Sequence, residues 1–177
     1  HDWTSGYYYR DQYFKAQGYT SFKTCDNGLD MYCNLYSRFH ASDLYMINSS
    51  VDDYIDSDIP FFSYYITISG HLDYLKYDNE IVQKNWEMVE DLPYSERVKG
   101  YIAANIELDK ALESLIDQLS DAGKLDDTVF VITPDHYPYK LTTDELNEVS
   151  DINRDDDFEL NHSDLIIWNS AMTETVT

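Results

Sequence analysis

The sequence predicts an α/β domain with a mainly parallel sheet, and three observations carry that expectation. Two apolar runs, residues 61–68 and 129–132, lack a clear polar alternation and read as strands buried on both faces. Between them lies one long helical pattern, so the order is strand, helix, strand, the signature of a right-handed crossover joining parallel strands. Both runs also stop at residues suited to chemistry, the first at Ser69, Gly70 and His71, the second at Asp135 and His136. Ligands gather where the strands of such sheets end, and parallel strands would bring these residues to one rim.

The elements follow in order. Residues 10–17 read as a short helix with Phe14 and Ala16 inward and Gly18 as its left-handed stop, before a strand over 19–22. A polar loop around Asp26, Asn27 and Gly28 follows. Ser42 caps a second helix whose apolar face runs Leu44, Ile47, Val51, Tyr54 and Ile55, at helical spacing. Pro60 separates it from the 61–68 strand. Pro93 precedes the strongest helix, residues 95–122, with a stripe of Val98, Ile102, Ile106, Leu108, Leu112, Leu115, Ile116 and Leu119 that ends at Gly123. Beyond the 129–132 strand come a short helix near 143–149, an acidic loop and a last strand at 165–168.

A chain of 177 residues is one ordinary domain, and 43% hydrophobic content with 15% aromatic content excludes disorder. The 17 tyrosines suit polar ligands such as sugars. A net charge of -22 excludes ordinary nucleic-acid binding and reads first as a solvated, self-repelling surface, second as a cleft attracting cations. No window approaches the roughly 18–20 apolar residues of a membrane span. The chain starts at His1 without a signal peptide, and its ends read as those of a segment from something longer. Cys25 and Cys33 form no C-x-x-C pattern, and their spacing leaves a disulfide and two free thiols both open.

Asp135 and His136 offer a carboxylate oxygen and an imidazole nitrogen, a donor set for a zinc- or manganese-like ion rather than calcium. The bland alternative is a strand-end cap beside a surface histidine. His71 gains weight from its strand-end position and from Gly70, which permits close backbone approach. His40 receives no role. Asp151, Asn153, Asp155, Asp157 and Glu159 alternate like the first ligands of a calcium loop, but Asp156 stands where glycine is required and His162 where a bidentate glutamate is required. That stretch reads as a solvated acidic loop. No G-x-S-x-G elbow exists, and neither cysteine sits in the Cys-x-Pro-x-Arg pattern of formylglycine sulfatases, so no nucleophile is assigned.

The S-G-H-L-D-Y segment at 69–74, I-E-L-D-K-A-L at 106–112 and D-H-Y-P-Y at 135–139, together with the blocks 1–19, 61–74, 94–123 and 128–139, resemble a known family. It is the extracellular catalytic domain of lipoteichoic acid synthases, phosphoglycerol transferases of the sulfatase and alkaline phosphatase superfamily. The resemblance covers most of the chain. It implies a partial alkaline-phosphatase-like α/β/α sandwich, with residues 1–177 forming the C-terminal portion of the catalytic domain. It implies that Asp135 and His136 hold a divalent metal, manganese by resemblance with magnesium or zinc open. His71 would face the substrate phosphate and serve as a proton donor, and His1, Tyr8 and Arg10 would hold glycerol phosphate. Tyr8 stands where some members carry Trp, and an arginine beside it still offers phosphate a two-pronged grip.

By the same resemblance the threonine nucleophile, the glutamate metal ligand and the membrane helices lie upstream of His1, so the segment alone is expected to be silent. The implied reaction takes glycerol phosphate from a phosphatidylglycerol-type lipid to a glycerol-phosphate acceptor through a phosphothreonine, on the outer face of a bacterial membrane. The alternatives are a sulfatase or phosphoethanolamine transferase of the same superfamily, and a non-catalytic acidic domain that binds polymer or sugar.

Overall fold

A computed structural model describes residues 5–29, 41–155 and 157–174. His1, Cys33 and His40 lie outside these, so the role expected of His1 and the pairing of Cys25 with Cys33 rest on residues not described. The described chain runs through helices α1 (Arg10–Ala16), α2 (Asp43–Asn48), α3 (Glu80–Asn85) and α4 (Glu96–Asp121), strand β1 (Phe130–Ile132), helices α5 (Thr143–Asn147) and α6 (Asp157–Asn161), and strand β2 (Ile166–Trp168). Short 3-10 turns punctuate them.

Helix α4 is the axis of the molecule. α2 and α3 both pack on it, and two apolar clusters divide its length. Toward its C-terminal half, Ala111, Leu115 and Leu119 meet Ile47, Val51, Ile55 and Phe130; toward its N-terminal half, Ala103 and Ala104 meet Tyr74, Val82, Val89 and Leu141. The buried seam is therefore Val98, Gly100, Ala103, Ala104, Glu107, Ala111, Leu115 and Leu119. It overlaps the expected stripe only at Val98, Leu115 and Leu119. Apart from Glu107, small residues occupy the rest because helices close in on the axis, while Ile102, Ile106, Leu108 and Leu112 lie half-buried on its flanks.

Glu107 is fully buried in that seam. Its carboxylate is met by Lys84 Nζ at 2.9 Å on both oxygens and by the Ser42 hydroxyl. Burial pushes its pKa up, but Ser42 and Lys84 outweigh that and hold it below the usual glutamate range. One carboxylate thus ties α2 and α3 to α4.

Most element positions match expectation, with physical corrections. Ser42 caps α2 by accepting from Tyr45 N, but the helix ends at Asn48 and only a turn continues through Val51. Ser50 turns its hydroxyl back to Met46 O at 2.7 Å, a bond that competes with helix continuation. Gly18 adopts φ 93° after α1. Phe14 is buried there, whereas Ala16 is exposed.

The parallel sheet is not what the described residues form. β1 pairs with β2 antiparallel, Phe130 opposite Trp168, and residues 19–22 and 61–68 form no strand. Residues 129–132 are consequently not buried on both faces: Val129 and Val131 are 62% and 63% exposed, while Phe130 turns inward. A two-stranded ribbon can cover only one of its faces against α4, and the Phe130 and Trp168 rings, 5.3 Å apart, do so. Among the described residues no helix is long and apolar enough to cross a membrane.

Candidate functional site

The site begins where the 61–68 segment turns. Ile68 N and Ser69 N donate to the two oxygens of Asp43 at 2.8 and 3.1 Å, and Asp43 N donates to the Ser69 hydroxyl at 2.9 Å. Asp43 opens α2, so the first turn of that helix grips the end of the segment. Burial raises the Asp43 carboxyl to about 6 despite these hydrogen bonds. His71 N then closes a tight turn onto Ile68 O at 2.9 Å.

Gly70 brings this turn close to α4: a Cβ there would stand 2.9 Å from Asn105 Oδ1, whose side chain would have to move aside. The Tyr74 hydroxyl donates to Gly70 O at 3.1 Å. Burial pushes the Tyr74 phenol up, which keeps it a neutral donor. His71 is thereby presented from a turn held by α2 on one side and α4 on the other.

Asp135 and His136 arrive from the end of β1. The His71 and His136 rings meet edge to face with centroids 6.0 Å apart. Sequence order alone placed these residues on a common rim, and the geometry brings them together, though through α4 and its turns instead of a parallel ladder.

Asp135 and His136 together offer one carboxylate donor and one imidazole donor. His136 Nδ1 lies 2.7 Å from Tyr137 O, and a carbonyl only accepts, so Nδ1 carries the proton. The other nitrogen, Nε2, lies 3.5 Å from Asp135 Oδ1. Two donors bound at about 2.1 Å to a tetrahedral ion stand about 3.4 Å apart, so the spacing fits. The fit is partial: among the described residues no group of three or more His, Cys, Asp or Glu converges as a metal site.

Tyr8 and Arg10 come together elsewhere. The Arg10 guanidinium carbon lies 5.9 Å from the Tyr8 ring centroid and 5.5 Å from that of Tyr7. Tyr8 and Tyr9 both hold positive φ, 52° and 56°, a conformation unusual for large side chains. Arg10 lines an open groove of about 920 Å³ with Phe14, Lys23, Tyr54, Phe62 and Tyr64, a lining that includes none of His71, Asp135 and His136. The described residues thus bring His71, Asp135 and His136 into one place and Tyr8 and Arg10 into another.

Three supporting residues carried no role in the sequence reading. Asp43 and Tyr74 shape the His71 turn, and Tyr139 places its hydroxyl 3.3 Å from His71 Nε2. Tyr74 and Tyr139 each had a local signal, three positions beyond His71 in the S-G-H-L-D-Y segment and three beyond His136 in the D-H-Y-P-Y segment. Asp43 looks like any acidic residue of a helix first turn. The acidic 151–162 loop, in turn, folds around Arg154, whose Nη1 donates to Glu159 O and His162 O, both at 2.6 Å.

No curated protein and no solved structure matches the chain. A family model does: that of the sulfatases, over residues 1–175. This supports an alkaline-phosphatase-like α/β fold and an enzyme of the hydrolase or transferase type found in that superfamily. From the reach of that match, the chain belongs to the sulfatase family.

Proposed function

We propose that this chain forms the C-terminal portion of a phosphoglycerol transferase, moving glycerol phosphate from a phosphatidylglycerol-type lipid to a glycerol-phosphate acceptor at the outer face of a bacterial membrane. The observation that carries the reading is the convergence of His71 with Asp135 and His136, residues 64 and 65 positions apart in sequence. Asp135 and His136 would hold a divalent ion, manganese first, with magnesium or zinc as alternatives. Such an ion, when bound, neutralises phosphoryl charge and lowers the pKa of an attacking group. His71 faces the same rim and donates a proton or hydrogen bond to the phosphoryl or leaving oxygen. Tyr8 and Arg10, which stand apart from this rim, would with His1 grip a glycerol phosphate group in their own groove, the guanidinium by two parallel hydrogen bonds.

The test is the Asp135→Ala variant of the full-length protein, assayed for diacylglycerol release from phosphatidylglycerol vesicles. Turnover is expected to be abolished, and normal turnover would overturn the assignment. The family match favours one second reading, hydrolysis of a sulfate ester. Cleavage of an aryl sulfate with no action on phosphatidylglycerol would select it.

A further inference from the structure

Tyr139 touches both imidazoles of the candidate site. Its hydroxyl stands 3.3 Å from His71 Nε2, and its ring lies on the His136 ring at a centroid distance of 4.9 Å, tilted by 40°. The His71 and Tyr139 rings themselves cross at 81°, so the phenol reaches His71 by its hydroxyl and His136 by its face.

The backbone that carries Tyr139 is anchored at the neighbouring positions. Leu141 is buried in the cluster that also holds Tyr74, and Leu141 N donates to Pro138 O at 2.9 Å, closing a turn around Tyr139. Lys140 Nζ lies 3.7 Å from Asp73 Oδ1, two positions beyond His71. The turn after His136 is therefore clasped onto the turn that presents His71 by an ion pair, a hydrogen bond and a shared apolar cluster. A phenol fixed in this way can set the plane of an imidazole and fix which of its nitrogens holds the proton.

We infer that Tyr139 is a positioning residue for the reaction, holding His71 in one ring orientation and tautomer while its ring backs His136 beside Asp135. The inference rests on the reading that His71 serves the phosphoryl group. Tyr139 need not touch substrate for this role. Its hydroxyl acts on His71, and its ring acts on His136, so the two contributions separate by substitution.

The test compares Tyr139→Phe and Tyr139→Leu in the full-length protein, with two readouts. The first is the ¹⁵N resonance pattern of the His71 ring in histidine-labelled protein at fixed pH. The second is kcat and KM for diacylglycerol release from phosphatidylglycerol vesicles. Tyr139→Phe, which keeps the ring, is expected to shift the His71 ring nitrogens, lower kcat about tenfold and leave KM within about twofold. It should cost nothing further in a His71→Gln background. Tyr139→Leu is expected to disturb the His136 resonances as well.

Unchanged His71 resonances in Tyr139→Phe would overturn the inference, as would an undiminished loss of kcat in the His71→Gln background. Shifted resonances with unchanged kcat support the positioning contact and overturn the proposed role of His71 instead. A folded state is verified by a thermal unfolding midpoint of each variant equal to that of the parent.

Discussion

Gly100 lies so close to Tyr74 that a Cβ on Gly100 would fall 1.6 Å from the Tyr74 carbonyl oxygen. The helix α4 backbone is pressed against the segment that leaves the His71 turn, and no side chain fits between them. Because the obstacle is backbone and not the end of a flexible side chain, Gly100→Ala must push the segment off the helix. A loss of about 3 kcal/mol in urea unfolding is expected, accompanied by lost His71 and His136 ring contact in NMR spectra. A variant as stable as the parent would mean the two backbones are not in this contact.

Asp43 gives stability a pH dependence. Its folded pKa is raised to about 6 by burial, above the ordinary aspartate value of 3.8. A raised acid makes its full contribution below the unfolded pKa, and that contribution falls as pH climbs from about 4 to above 6. Asp43→Asn should flatten this slope in unfolding curves taken across that window. It should also destabilise the protein at neutral pH by about 2 kcal/mol, since an amide oxygen cannot serve both Ile68 N and Ser69 N as well as a carboxylate does. An unaltered slope would show that another group titrates there.

Glu107 behaves in the opposite sense. Its pKa is lowered, so its contribution is present above the usual glutamate range and is lost as pH falls below it. Removing its cation leaves a buried, underpaired carboxylate. Lys84→Met is expected to cost about 2 kcal/mol, tempered by the partial exposure of Lys84. Adding Glu107→Gln should recover part of that loss, because the orphaned charge goes with it. Thermal unfolding of the two single variants and the double variant measures the coupling, and strictly additive losses would refute it.

Phe130 holds the β1–β2 ribbon to the core. It is buried, packs on Trp168 and joins Leu115 and Leu119 of α4. Phe130→Ala should cost about 3–4 kcal/mol. Because Asp135 follows this strand, the same variant should weaken the ion binding proposed for Asp135 and His136, measured by calorimetry with manganese. Loss of stability with unchanged ion affinity would show that the Asp135–His136 pair is placed independently of the ribbon.

Local chemistry was the part most legible in the sequence. The Ser42 cap, the Gly18 stop, the extent of α4 and the short strands at 130–132 and 166–168 all follow from side-chain type and spacing over a few residues. The meeting of His71 with His136 was expected from parallel strands sharing one rim, whereas the described residues bring the two rings together without such a sheet. What escaped was set by partners distant in sequence. The seam of α4 is chosen by how closely α2 and α3 approach, which no periodicity records. Ladder direction depends on which segments find each other, and a run such as 129–132 looks alike in an antiparallel ribbon and a parallel sheet. Asp43 and Tyr74 acquire their roles only when the 68–70 turn lies against them.

Asp135 and His136 are successive residues, so the gap between their donor atoms is written into one short stretch of backbone. The separation from His71, by contrast, is maintained across the whole domain. Gentle heating or dilute denaturant should therefore break the meeting of His71 with His136 before it alters the spacing of Asp135 from His136.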